Sequence, residues 1–132
     1  RIAPGAKLRF SANAYLELRA RARLIAQGTP TQNIRFTTAE SGKFWGYDGG
    51  ANYSGGIWVN DNAAAGTVLK NVILDSAKVA LFNADVVAVS IENAVISDYQ
   101  YWGIYDPEWA VTVTASTISS AIPSALGQHY HK

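Results

Sequence analysis

The chain has 132 residues, of which 48% are hydrophobic, and it carries no cysteine and a formal net charge of +1. That length supports one hydrophobic core rather than two, the lack of cysteine excludes disulfides and thiolate chemistry, and no apolar run is long enough to span a membrane. Residues 1–35 hold seven basic residues against one acid, a net charge of +6, whereas residues 36–132 hold four against nine, a net charge of −5.

Short strands and turns are predicted along the whole chain. Apolar and polar residues alternate at 8–10, 15–19, 34–36 and 111–114, which is the pattern of half-buried strands. Glycine, asparagine, aspartate and serine separate these segments, and no stretch keeps a helical apolar face for long. The sequence therefore predicts an all-β protein.

Three seven-residue segments recur with a constant period of 22, beginning at Asn71, Asn93 and Ala115. A period of this length is typical of a solenoid, in which stacked coils bury one continuous core. Asn71 and Asn93 are predicted to form a ladder at one turn, with hydrogen bonds from side chain to side chain between coils.

The repeat extends upstream with variations. Residues 8–10 and 34–36 match at a spacing of 26, and the spacing of 38 between Asn33 and Asn71 equals one coil of 22 plus an insertion of 16. We predict a single domain over residues 1–132 with about five coils, a glycine-rich aromatic insertion at about 40–54, and a tail at about 122–132 that could cover the C-terminal end.

Three motifs carry a resemblance to a known superfamily. They are Leu-Ile-Ala-Gln-Gly-Thr at 24–29, Ile-Arg-Phe-Thr at 34–37 and Gly-Gly-Ile at 55–57, followed by the repeats of period 22. Over most of residues 2–121 the chain resembles right-handed parallel β-helix proteins of the bacterial extracellular and cell-surface type, in the pectin-lyase-like superfamily. The resemblance implies a right-handed parallel β-helix. It leaves function open, since the superfamily includes lyases, hydrolases and non-enzymatic adhesins.

An extracellular or cell-surface location is expected. The chain begins at Arg1 and shows no secretory leader, which we interpret as a processed or excised product. It contains neither cysteine nor methionine, so it offers little to oxidants, as suits a protein outside the cell.

An aromatic column is predicted on the outside of the solenoid. Trp58, Phe82 and Tyr105 follow one another at spacings of 24 and 23 along the chain, and the aliphatic residue before each is expected to face inward. Stacked outward rings offer an apolar platform for sugar rings or peptides. The alternative is that the column packs on itself, with the insertion folded over it as a lid. The other residues predicted for the ligand site are Asp61, Asp85, Asp106, Trp45 and Tyr47.

Catalysis is kept as an alternative. The superfamily's lyases use acid-bound calcium with an Arg or Lys base, and its hydrolases use clustered Asp residues with a His, but neither motif is found here. Asp85 and Asp106 are the acids that adjacent coils could bring to the separation of about 5–10 Å that a carboxylate pair needs. The alternative function is therefore a polysaccharide lyase or glycoside hydrolase, or a fragment of one.

The two histidines, His129 and His131, flank Tyr130 in the last four residues. Such a pair binds a metal when a third ligand approaches. A frayed terminus is the expected state at this position. No metal site and no cofactor is predicted.

A basic patch is predicted near the N-terminal end. Arg19, Arg21 and Arg23 alternate with alanine, so one strand would present three guanidinium groups on one face, and Arg9 and Arg35 are expected to share a column one coil apart. The patch could bind the carboxylates or sulfates of an acidic polysaccharide, or the acidic end of a second molecule, or remain solvated. Nucleic acid is disfavoured by the acidic remainder of the chain.

The favoured function is a non-catalytic extracellular module that binds carbohydrate or displays a surface. A second alternative is a structural module that self-associates, because no amphipathic helix precedes residue 8 to cap the N-terminal end of the solenoid.

Overall fold

The computed structural model describes all 132 residues, which form fourteen β-strands and no helix. It therefore contains no helix long and apolar enough to cross a membrane. In chain order the strands are β1 (Lys7–Phe10), β2 (Leu16–Leu18), β3 (Ile25–Gln27), β4 (Ile34–Thr38), β5 (Gly55–Val59), β6 (Thr67–Lys70), β7 (Val72–Asp75), β8 (Val79–Asn83), β9 (Val89–Glu92), β10 (Val95–Ser97), β11 (Trp102–Tyr105), β12 (Val111–Thr114), β13 (Thr117–Ser119) and β14 (Gly127–Tyr130).

Three parallel sheets run along the solenoid. Sheet I is β1-β4-β7-β10-β13, sheet II is β2-β5-β8-β11-β14 and sheet III is β3-β6-β9-β12. Successive strands enter sheets I, II and III in turn, so each coil contributes one strand to each sheet. Four complete coils and two strands of a fifth confirm the predicted all-β parallel solenoid of about five coils.

The strand register confirms the repeat. In sheet I, Val95 lies opposite Ile73 on one side and Thr117 on the other, and each partner is one sequence period away. The insertion is also placed as predicted, because Ile34 lies opposite Val72, the same offset as that between Asn33 and Asn71.

The predicted register of the first coil is wrong by two residues. Arg9 lies opposite Thr37 rather than Arg35, and Arg35 lies opposite Lys7. A shift of two residues leaves every side chain on its own face of the sheet, so the alternation of apolar and polar residues cannot reveal it. The two arginines therefore do not share a column.

One continuous core runs through the coils. Ile57, Leu81 and Ile104 stack in register on the inner face of sheet II, and all three are fully buried, as predicted. Each such side chain contributes roughly 1.5–3 kcal/mol by leaving water. Leu8 and Ile118, in the outermost strands of sheet I, are only partly buried, because each has a neighbouring strand on one side only within residues 1–132.

A repeated turn explains the recurrence of asparagine. Asn71, Asn93 and Ala115 each adopt a positive φ, of 51°, 50° and 49°. Asparagine tolerates this left-handed conformation better than most residues do. The predicted hydrogen bonds between side chains are not formed: Asn71 Nδ2 donates to the carbonyl of Gly28 at 3.1 Å, and Asn93 is exposed. The asparagines are structural: both adopt the left-handed turn conformation, and Asn71 adds a hydrogen bond from its side chain to a backbone carbonyl.

The insertion folds back into the core through Trp45. This residue is fully buried, its ring lies 4.3 Å from that of Phe10 at 11°, and its Nε1 donates to the carbonyl of Asp75 at 2.8 Å. The fit is tight, because a Cβ atom on Gly56 would lie 2.7 Å from the Trp45 ring. Trp45 is thus a core residue, and the prediction that it contacts a ligand is corrected.

The C-terminal tail extends the solenoid. Strand β14 pairs in parallel with β11, with Tyr130 opposite Tyr105 and His129 opposite Ile104. The tail therefore adds a strand to sheet II, and its histidines are held in place instead of fraying.

Candidate functional site

The aromatic column forms on the outer face of sheet II. Ring centroids are 5.2 Å apart between Trp58 and Phe82, 5.0 Å between Phe82 and Tyr105, and 4.6 Å between Tyr105 and Tyr130. Phe82 and Tyr105 belong to an apolar cluster separate from the main core, as expected for outward side chains. Sequence reasoning missed Tyr130 because residues 122–132 were assigned to a tail outside the repeat, whereas β14 of that tail pairs with β11.

The middle of the column is closed, while Trp58 and Tyr130 at its ends are half-buried. Phe82 and Tyr105 are only 3% and 8% exposed, and burial raises the pKa of the Tyr105 hydroxyl above its ordinary value. Tyr53 of the insertion lies over Phe82, with ring centroids 6.2 Å apart. The insertion thus behaves as the lid that was the alternative to an open platform. Accessible aromatic surface remains at the N-terminal end of the column, on Tyr53, Tyr47 and the half-buried Trp58.

A groove opens beside this accessible end. Its volume is about 350 Å³, and we call it the aromatic groove; it is lined by Tyr53, Trp58, Val59, Asn60, Asp61, Phe82, Ala84 and Asp85. Four of the predicted ligand residues therefore meet in one place: Trp58, Asp61, Phe82 and Asp85. They meet because β5 and β8 are neighbours in sheet II and the turns after both strands lie at the same edge.

Polar side chains line one edge of the aromatic groove. Asp61 is exposed, while Asp85 is half-buried and uses one oxygen to accept a backbone amide at 2.9 Å. Asn60 donates to Glu17 at 2.9 Å. The same Glu17 oxygen accepts a hydrogen bond from Arg19 at 2.8 Å, which holds the pKa of Glu17 below its ordinary value. The groove thus combines aromatic faces with acceptor oxygens suited to hydroxyl groups.

Tyr47 stands next to the groove. Its ring meets Trp58 edge-on at 5.0 Å, and the ring of Tyr15 lies 5.3 Å from Tyr47. Tyr47 is 38% exposed, so it can extend the aromatic surface beyond Trp58.

Asp106 lies elsewhere and is not available to a ligand in the groove. It is fully buried, and its two carboxylate oxygens accept the backbone amides of Ala110 at 2.9 Å and Val111 at 3.1 Å. Oδ2 also lies 3.2 Å from Nε2 of His129. Asp106 therefore organises the turn after β11, and its predicted place beside the aromatic platform is corrected.

The two histidines are ordered beside Asp106. Burial lowers the pKa of His129 below its ordinary value, although its hydrogen bond with Asp106 opposes this shift. The His131 ring lies flat against Trp109, with centroids 3.4 Å apart at 3°, and its Nδ1 is buried without a hydrogen-bond partner. One ligand atom from each of Asp106, His129 and His131 lies within 4.8 Å of the others. The expected frayed terminus is therefore wrong.

The basic patch is dispersed. The arginines predicted to form it are Arg9, Arg19, Arg21, Arg23 and Arg35. The chain turns at Ala20 and Arg21, whose φ values are 50° and 66°, so the arginines around this turn do not follow one strand. Arg35 is engaged by Asp75, through Nε at 2.9 Å and Nη2 at 2.8 Å. The structure thus gives no single array of free guanidinium groups.

The chain matches no protein-family model, no curated protein and no solved structure. The parallel solenoid is therefore established by the structure itself, and the resemblance to the pectin-lyase-like superfamily stays a prediction.

Proposed function

We propose that this protein is a non-catalytic module that binds a carbohydrate in the aromatic groove. The observation that carries the proposal is that the groove joins two aromatic faces, Trp58 and Tyr53, to two carboxylates, Asp61 and Asp85. A sugar ring has an apolar C–H face and a rim of hydroxyls, so a site for it needs these two kinds of group side by side. We further propose an extracellular or cell-surface location, which suits a chain without cysteine or methionine.

The size of the groove sets the size of the ligand. Small-molecule sites have volumes of about 300–1,000 Å³, and the groove lies at the lower end with about 350 Å³. It fits one sugar unit of a longer chain, with neighbouring units resting on Tyr47 and the surface beyond it. The carboxylates favour neutral or basic glycans over acidic ones, because a charged carboxylate or sulfate would be repelled.

The first test is a glycan array, followed by calorimetry with any glycan that the wild-type protein binds on the array. Trp58→Ala should weaken binding at least about 10-fold, which is about 1.4 kcal/mol, because the ring face is lost. Asp61→Asn should weaken it about threefold or more, because a neutral acceptor bonds hydroxyls less strongly than a carboxylate does.

Two matched controls lie outside the groove. Leu126→Ala removes another exposed apolar side chain, 56% exposed, and Asp98→Asn removes another exposed carboxylate at a φ of 50° that asparagine also adopts. Both should bind as the wild type does. The proposal is overturned if the groove variants bind as tightly as the wild type, if the control variants lose as much affinity as the groove variants, or if the wild type binds no glycan. If the protein cleaves a bound glycan, its function is that of a lyase or hydrolase instead.

Self-association is a second candidate, favoured by partly buried apolar residues in the first coil of residues 1–132. Leu8, Phe10 and Leu16 of the first coil are only partly buried, whereas Ile57 and Leu81, in register with Leu16, are fully buried. The outermost strands also leave one backbone edge unpaired, which is a template for another strand. Light scattering over a range of protein concentrations tests this candidate. A mass that grows with concentration supports it, and a constant monomer mass contradicts it.

A further inference from the structure

Asp106, His129 and His131 come together at the C-terminal end of sheet II, where the turn after β11 meets β14. We propose that these three residues form a binding site for a zinc-type divalent metal ion. The site is separate from the aromatic groove and shares none of its lining residues.

The spacing of the ligand atoms fits a metal of this class. Two ligands bound to tetrahedral zinc at about 2.0–2.1 Å are separated by about 3.4 Å. Asp106 Oδ2 and His129 Nε2 are already 3.2 Å apart, and all three residues offer an atom within 4.8 Å of the others. A small movement of His131 therefore completes a three-ligand set, with solvent supplying the fourth ligand. Two imidazoles and a carboxylate suit zinc better than magnesium or calcium, which prefer oxygen ligands.

The surroundings of the three ligands support the assignment. Asp106 is fully buried and oriented by the amides of Ala110 and Val111, which is the kind of outer contact that fixes a metal-binding carboxylate. Nδ1 of His131 is buried with no hydrogen-bond partner, a costly state that a bound ion would relieve. The Trp109 ring, stacked on His131, keeps the imidazole close to Asp106 and His129.

The ion would link the fifth coil to the fourth. Asp106 follows β11, while His129 lies in β14 and His131 follows it, so one ion joins two neighbouring coils at the end of the solenoid. To bind the ion, His129 would offer the lone pair of Nε2, so its neutral tautomer with the proton on Nδ1 is the one that would hold the metal. We therefore expect zinc to raise the melting temperature (Tm) of the protein, because the ion binds only the folded chain.

His131→Phe is the decisive variant. Phenylalanine keeps a ring against Trp109 but has no ligand nitrogen, and no hydrogen bond is lost because Nδ1 has no partner. The protein is stripped with a chelator and titrated with zinc chloride in a calorimeter. The wild type should bind one zinc ion per chain, and the affinity should fall at least about 10-fold in His131→Phe. The zinc-dependent rise in Tm should disappear with it.

Glu108→Gln is the matched control. Glu108 lies in the same turn and pairs with Lys132 at 3.3 Å, so the substitution removes a nearby negative charge without removing a proposed ligand. It should bind zinc as the wild type does. The two histidines are the only ones in the chain, so their ring signals in NMR report on this site alone, and both should shift with zinc. Absence of zinc binding, binding unchanged in His131→Phe, or an equal loss in Glu108→Gln would overturn the proposal.

Discussion

Replacing Trp45 tests whether the insertion belongs to the core or is a free binding loop. Trp45 is fully buried, stacks on Phe10 at 4.3 Å, and donates a hydrogen bond to Asp75. Removing a buried tryptophan side chain costs about 3–5 kcal/mol. A domain of this kind is held folded by about 5–15 kcal/mol. We therefore expect Trp45→Ala to remove a large part of the free energy of unfolding.

A milder variant separates the ring from its hydrogen bond. Trp45→Phe keeps an aromatic ring near Phe10 but leaves the Asp75 carbonyl without its donor, so the expected loss is about 1–2 kcal/mol. Tyr47→Ala, in the same insertion but 38% exposed, should cost less than about 1 kcal/mol. Urea unfolding followed by far-ultraviolet circular dichroism compares these proteins. A loss in Trp45→Ala no larger than that in Tyr47→Ala would refute the placement of the insertion.

Three further predictions concern packing, a turn and pH. Gly56→Ala should lower the free energy of unfolding by about 1–3 kcal/mol in the same urea assay, because its Cβ atom would lie 2.7 Å from the Trp45 ring. Asn71→Ala should cost about 1–3 kcal/mol, because alanine is strained at a φ of 51° and the hydrogen bond to Gly28 is lost, whereas Asn71→Gly should lose only the hydrogen bond, about 1 kcal/mol. The pKa of Glu17 is lowered in the folded protein by its hydrogen bond from Arg19, so its contribution to stability is complete above its ordinary pKa of 4.5 and is lost as pH falls through the folded-state pKa. Thermal melts in acid buffers should therefore show a shallower loss of Tm in Glu17→Gln than in the wild type, and parallel curves would contradict the assignment.

The fold could be predicted because equivalent residues recur in the sequence at a constant period. The constant spacing of Ile73, Val95 and Thr117 along the chain reappears as strand register, since stacked coils place equivalent residues opposite one another. The register of the first coil could not be predicted in the same way. A strand alternates with period two, so the pattern cannot distinguish the true register of Arg9 from one shifted by two residues.

The candidate site could be predicted only in part. The outward direction of Trp58 and Phe82 follows from the alternation of side chains along a strand. Their exposure depends on the insertion that covers them, and the insertion lies outside the repeat, so its path cannot be predicted from the repeat period. For the same reason Trp45, predicted on the surface, lies in the core. The cluster around Asp106 depends on the pairing of β14 with β11, and the sequence repeat does not extend to β14 to predict it.

The most direct test of the proposed function uses the indole signals of the four tryptophans in a two-dimensional NMR spectrum of labelled protein. The four signals are assigned with single Trp→Phe variants. A glycan that the protein binds on the array is then added, and the signals are followed during the titration. Carbohydrate binding in the aromatic groove predicts that the Trp58 signal moves with ligand concentration, while those of the buried Trp45 and the distant Trp109 stay in place. An unmoved Trp58 signal in the presence of a bound glycan would contradict the account.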